Sequence, residues 1–334
     1  MVTESNWAVS FYLPDRTALR GRDPLTLHPD LDWPVFGTGV YVWILQTFVR
    51  LRLAGAPVVL VDRPPDSGIV VTHADHLRRL LSDAGSPAAL TIVVARSDRG
   101  PQWLADFVIV QNASSAGRAD FFIPSWSQPG LVARARERGT RIEQVAYVGA
   151  IKELDPELTS PQWEEALRSR GLHWDLRTIA FTSSDHQYRD LRWNDYSTTD
   201  VIVALRPPAS RDVRSKPAAK LQNAWAAGVP AIVSPEIPYR ELWRSSLDYL
   251  EASNSAEALE AIDRLRSNSL LYAEMVANGF ERAREFQAER LIDRWIDVLW
   301  RQIPERTNSR TYQLLVKARV PRAWVRRALY KWRL

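Results

Sequence analysis

RSKPAAKLQNAWAAGVPAIV, from Arg214 to Val233, reads as a basic loop, a Pro in the first helical turn, two turns of helix, a Gly stop and a buried strand. Lys216 and Lys220 stand four apart, which on that reading puts both on one face near the helix start. Helix N-termini carry unpaired N–H groups and the positive end of the macrodipole, so they favour anions. Two ammonium groups there oppose the dipole unless an anion joins them. The stretch therefore predicts a diphosphate seat beside a buried strand.

Outward from it, short apolar runs alternate with helical patterns. Ala8–Leu13, Pro57–Val61, Gly68–Thr72, Leu90–Ala95 and Phe107–Gln111 read as strands, rich in Val and Ile and bounded by turn residues. Val40–Leu53 and His73–Ala84 read as helices between them. The pattern restarts with strands at Gln144–Val148, Trp174–Phe181, Asp200–Leu205 and Ala231–Ser234, and helices at Pro161–Arg170, Ser255–Leu265, Leu271–Glu285 and Ala288–Trp300. Ser255 reads as the cap of its helix. Strands alternating with helices predict an α/β protein with parallel sheets covered on both faces. A Pro-, Gly- and Arg-rich stretch at 129–143 divides the chain. The expected units are 1–142 and 143–300, each Rossmann-like, with a basic amphipathic tail at 301–334. Ligands of such sheets bind outside the carboxyl ends of the strands, and two sheets can face each other across a cleft.

Composition narrows the classes. A length of 334 residues accommodates two cores. No run is long and apolar enough to span a membrane, and the first fifteen residues lack the pattern of a secretory signal. Zero Cys excludes disulfides, Cys-based metal sites and a thiol nucleophile, and is compatible with the cytoplasm, the expected location. The net charge is +5, yet the last 24 residues alone carry seven basic side chains and no acidic one. The body is therefore near neutral, which argues against a nucleic-acid surface.

DVIVALRP (Asp200–Pro207), SKPAAKLQNAWAAGVPAIVSPE (Ser215–Glu236) and YREL (Tyr239–Leu242) together resemble the donor-binding half of GT-B glycosyltransferases, in particular the retaining nucleotide-sugar-dependent group. The resemblance covers about Val145–Trp300. It implies two Rossmann-like domains facing across a cleft, C-terminal helices crossing back, a nucleotide-sugar co-substrate, and neither metal nor other cofactor. Many retaining members carry two Glu eight positions apart in this segment. Here Ser215 and Asn223 stand at those positions, so neither can supply a carboxylate; Glu236 and Glu241 lie nearby and can.

Transfer from a nucleotide donor builds negative charge on the departing diphosphate, which cations and N–H dipoles stabilise. Lys216, Lys220 and Arg206 fit that task, and Gly149, ending the strand QVAYVG, fits close backbone approach to phosphates. Trp193 and Tyr196, in HQYRDLRWNDY (His186–Tyr196), are candidates to stack on the base, Asn223 and Glu241 to bond the ribose or sugar. In the N-terminal half, Gly37, Thr38 and Gly39 form a Gly loop opening a helix, without the full dinucleotide fingerprint. His73 and Asn112 end strands and would face the cleft, and Trp126 and Gln128 are typical sugar contacts. The catalytic candidates are His73, Lys220 and Glu236. Each has a structural alternative: a helix-end charge, a turn glycine, a capping histidine, a packed aromatic.

Residues 311–334 alternate Leu, Ala, Val and Trp with Lys and Arg near helical spacing. Such a segment suits an anionic membrane surface, at ~1 kcal/mol per basic residue, and a membrane contact would suit a lipid-linked or saccharide acceptor of envelope polysaccharide or glycolipid synthesis. A C-terminal helix returning to the first domain is the competing reading. At the level of function, the alternatives to a glycosyltransferase are a non-catalytic nucleotide- or sugar-binding protein and a nucleotide-sugar epimerase.

Overall fold

The computed structural model describes residues 8–85, 89–117, 120–179, 192–208 and 213–309; the expected tail surface at 311–334 and the segment 180–191 lie outside them. Two parallel sheets organise the chain. The first has the order β2-β1-β3-β4-β5-β6, with β1 Val9–Tyr12, β2 Val58–Val61, β3 Gly68–His73, β4 Leu90–Ala95, β5 Phe107–Val110 and β6 Asp120–Phe122. The second has the order β11-β10-β9-β7-β8, with β7 Gln144–Ala150, β8 His173–Ile179, β9 Val201–Ala204, β10 Ala231–Val233 and β11 Leu250–Glu251. β1, β4, β5 and β9 are buried along their whole length, which is why they read as continuous apolar runs rather than alternating ones. β6 and β11 escaped the sequence reading because two or three residues carry no period.

The helix expected at 40–53 is a π-helical stretch, Tyr41–Gln46, continued by α1 (Thr47–Leu53). The one expected at 73–84 starts later. β3 runs through His73, whose Nδ1 accepts from the Asp75 N–H at 3.1 Å and so caps a 3₁₀ turn, and α2 follows at Leu77–Asp83. α3 spans Pro161–Arg168, capped by Ser160. The opening stretch forms α4, Ala219–Ala227, ended by Gly228 in the left-handed region, where a Cβ would also strike the Phe280 ring. α5 is the short Ile237–Arg240. α6 (Ser255–Ser267) is capped by Asn254 rather than Ser255, and α7 is Ser269–Ala283. Ser255 instead hydrogen-bonds Glu157.

The chain then crosses back. α8 (Ala288–Asp297) and α9 (Ile303–Thr307), joined by a π-helical turn, place Leu291, Trp295, Leu299 and Ile303 in the core of the first sheet. Trp295 packs between Phe11 and Trp43, ring centroids 6.3 and 6.4 Å away. Leu291 to Trp300, expected with the second unit, and Ile303, expected with the tail, thus pack into the first core. The buried Asp200 carboxylate collects Arg134 and Arg138 side chains and the Glu143 and Gln144 N–H groups, fastening the connecting segment to β7 and β9. No helix among the described residues is long and apolar enough to cross a membrane.

Candidate active site

All strands being parallel, each sheet presents its carboxyl ends to one side, and the loops from those ends meet. From the first sheet come His73 (after β3), Ser97 and Asp98 (after β4), and Gln111 and Asn112 (after β5). From the second come Glu153 (after β7), Arg206 and Lys216 (after β9) and Glu236 (after β10). The loop 213–217 is the seam. Asn112 Nδ2 donates to the carbonyls of Arg214 and Lys216, both at 2.6 Å, Ser115 Oγ to that of Arg214 at 2.8 Å, and Gln111 Nε2 to that of Ser215. Glu241 accepts from the Ala113 and Ser114 N–H groups at 3.1 and 3.0 Å.

Alternating charges run across this seam. Asp75 grips Arg99 at 2.6 and 2.8 Å, Arg99 reaches Asp98 at 3.1 Å, and Asp98 meets Lys216 at 2.6 Å. Lys216 also meets Glu153 at 2.7 Å. Glu153 faces Arg206 at 3.4 Å and Lys220 at 3.6 Å, and Arg206 reaches Glu236 at 3.2 Å. Ser234 Oγ donates to the other oxygen of Glu236, which is buried. Burial would raise the Glu153 pKa, but Lys220, Arg206 and Lys216 override it and hold the carboxyl at about 2. Burial acts against the charge of Lys216 too, yet Glu153 and Asp98 keep its pKa above the usual value. Burial lowers that of Lys220. The anion that the opening stretch calls for is thus present inside the protein: it is Glu153, four residues beyond Gly149.

Lys216 and Lys220 come together here, but not on one helix face. A residue before Pro is driven out of the helical region, so Lys216 lies in the turn that precedes Pro217, and α4 begins only at Ala219. Gly149 serves this cluster differently from expectation. A Cβ there would lie 2.7 Å from Tyr147 Oη and 2.8 Å from Lys220 Cε, so the glycine makes room for the lysine stem rather than for a phosphate. The Lys220 ammonium sits 5.5 Å from the Tyr147 ring centroid.

On the opposite side, Gly37, Thr38 and Gly39 run half-exposed or exposed into the π-helical stretch, the Thr38 carbonyl accepting from Val42. A Cβ on Gly39 would lie 3.3 Å from Ser97 Oγ and 3.6 Å from His73 Nε2. His73 is 1% exposed, and burial pushes its pKa down to about 4. Nδ1 accepts the Asp75 N–H and lies 3.4 Å from the Asp75 carboxylate; on the N–H contact the proton of the neutral ring is assigned to Nε2, which is buried with no partner. His73 therefore offers a donor, not the lone pair a general base needs. Gln111 Oε1 is a second buried atom without a partner at this edge.

Other sequence candidates take structural places. Tyr196 is 2% exposed in the second core, bonded to Asn223, and burial pushes its pKa up to about 12, so it cannot stack on a base. Trp193 is half-buried. Asn223 Oδ1 also accepts the Gln128 N–H at 2.9 Å, which uses the side chain as an inter-lobe tie instead of a ribose ligand. Trp126 is buried with Nε1 donating to Thr47 at 2.9 Å and Arg50 over its ring. Trp126 and Gln128 border a cavity of about 770 Å³ where the chain crosses between lobes, lined also by Phe286 and Gln287, away from His73. Asn112 and Glu241 hold the seam described above. Glu153 and Asp98 were missed; a carboxylate following a Gly-ended strand was the signal for the first.

One six-stranded and one five-stranded parallel sheet, with C-terminal helices returning to the first, match solved glycosyltransferases. The chain has the GT-B glycosyltransferase fold. Sucrose-phosphate synthase from Thermosynechococcus elongatus is 15% identical, with 80% of this chain and 94% of that one covered at a TM-score of 0.53. Anabaena HepE in complex with UDP is 12% identical, covering 87% and 99% at 0.52. S. aureus TarM, solved with Fondaparinux, α-GlcNAc-glycerol and UDP, is 10% identical, covering 78% of this chain at 0.51. The chain spans 59% of the TarM chain and of the GtfA/B complex chain it also matches. No protein-family model and no curated protein sequence matches it. At these identities the likeness carries the GT-B architecture alone.

Proposed function

We propose that this protein transfers a sugar, of hexosyl type, from a nucleotide-sugar to an acceptor hydroxyl, with the donor diphosphate held by Lys216, Lys220 and Arg206. The observation that carries this is the convergence of those three cations at the carboxyl edge of the second sheet. Across the seam, the buried unpaired Nε2–H of His73 and Oε1 of Gln111 are suited to sugar or acceptor hydroxyls. Since UDP is bound in the HepE and TarM structures, UDP-sugars are the first donors to test.

The retaining course is favoured by His73. With its proton on Nε2 it cannot take one from the acceptor, so the departing diphosphate is the natural recipient. The bond from the anomeric carbon to phosphate oxygen breaks, the acceptor oxygen bonds that carbon, and the acceptor proton passes to a phosphate oxygen. Protein cations stabilise the charge, and the proposal invokes no metal or other cofactor. Acceptors in envelope polysaccharide or glycolipid synthesis, and a peripheral place on the inner membrane face through 311–334, complete the reading.

The experiment is incubation with a panel of nucleotide-sugars, with and without saccharide or lipid-linked acceptors, reading donor hydrolysis and product identity. Donor consumption with sugar transfer is expected. Binding with no turnover under any acceptor would replace this reading with a non-catalytic nucleotide-binding protein, a reading favoured by Ser215 and Asn223 standing in place of paired carboxylates and by the Gln128 N–H that occupies the Asn223 side chain. Conversion of the donor without an acceptor would indicate an epimerase.

A further inference from the structure

Glu153 stands on a single 3₁₀ turn, Ile151–Glu153, between β7 and the buried Leu154. Ile151 and Lys152 are exposed, and beyond the turn the chain is fastened by Leu154 in the second core and by Asp155, whose N–H donates to the Leu205 carbonyl at 2.8 Å. The carboxylate is thus carried on a short surface turn with fixed ends. Its two oxygens are divided among three cations: Oε1 meets Lys216, and Oε2 meets Arg206 and Lys220. One carboxylate facing three cations is not a one-to-one ion pair. It has the arrangement of an anion in a binding seat.

The neutral balance of the cluster matters as well. Arg206, Lys216 and Lys220 are offset by Glu153, Asp98 and Glu236. A diphosphate added to this cluster as it stands would meet no net attraction, and it would compete with Glu153 for the same N–H donors. Exchange avoids both problems, because removing one carboxylate frees the charge that the phosphates then take.

We propose that Glu153 is an internal stand-in for the donor's diphosphate, holding Lys216, Lys220 and Arg206 assembled in the empty protein and giving way when the diphosphate arrives. The inference rests on the donor reading above. Departure of Glu153 also leaves Lys216 shared only between Asp98 and the phosphates, so the seam between the lobes senses whether the seat holds Glu153 or ligand.

The test compares the full chain with Glu153→Gln by calorimetric titration with inorganic pyrophosphate and with UDP, and by thermal melting in buffer free of multivalent anions. Glu153→Gln is expected to bind both probes about tenfold tighter or more. It is also expected to melt lower than the parent without anion and to recover more than the parent when pyrophosphate is added. Asp98→Asn, which leaves Glu153 in place, is expected to give a smaller tightening and serves if Glu153→Gln does not fold. If the parent binds and the variants bind no tighter, the stand-in role is wrong and the donor seat survives. If neither parent nor variants bind either probe, the donor reading falls and this inference with it.

Discussion

Lys216 joins the two lobes: its ammonium lies 2.6 Å from Asp98 of the first sheet's loops while it holds Glu153 of the second at 2.7 Å. The same cation that would bind a diphosphate therefore also closes the seam. Ligand binding and lobe contact thus share one side chain.

Lys220→Ala is expected to abolish thermal stabilisation by the preferred nucleoside diphosphate and leave the unliganded fold intact. Loss of a charge-assisted bond of ~1.5–3 kcal/mol corresponds to roughly ten- to hundredfold weaker binding. Melting curves against a nucleoside diphosphate series check it; undiminished stabilisation in the variant would remove Lys220 from the seat.

Gly149→Ala should act through that lysine. The added Cβ would sit 2.8 Å from Lys220 Cε and 2.7 Å from Tyr147 Oη, both near the ends of their side chains. The fold is expected to survive while diphosphate affinity drops at least about tenfold. Equal affinity in a titration would show that the lysine stem has room to spare.

Asn112 offers a comparison of two substitutions. Its amide donates to two carbonyls of the donor loop. Asn112→Ala leaves those carbonyls to water, at a cost of about 1–3 kcal/mol. Asn112→Asp aims a carboxylate at them and should be worse than Ala in urea unfolding. A milder effect for Asp would show that the seam opens freely.

The imidazole of His73 sets a pH signature. Its folded pKa is lowered to about 4 by burial, whereas an unfolded His titrates near 6.5. Between those values the unfolded chain binds the extra proton, so stability falls as pH is lowered from about 6.5 to 4, by roughly 3 kcal/mol in all. Urea midpoints across that range should show the slope in the parent and lose most of it in His73→Asn, leaving the part due to His76, whose pKa burial also lowers. A slope that persists undiminished in the variant would assign it elsewhere. Glu153, held at about 2, works at lower pH, adding stability above about 4.3 that is lost towards 2.

Much of the architecture was legible in the chain itself. Parallel strands buried on both faces must be continuously apolar, so β1, β3, β4, β5, β7, β9 and β10 stand out, and Gly228 marks the end of α4 because few other residues adopt its backbone. Lys216 and Lys220 were legible as neighbours too, because basic residues leading into a helix start call for an anion. What the linear order could not reveal was the identity of that anion, or the use of Asn112, Asn223 and Glu241 as ties between lobes. Each depends on atoms brought together from residues some 60 to 130 positions apart, and hydrogen bonds and ion pairs at that separation leave no period or spacing in a sequence. Local propensity and burial pattern decided the elements; only the tertiary meeting of two strand edges decided which charges are neighbours.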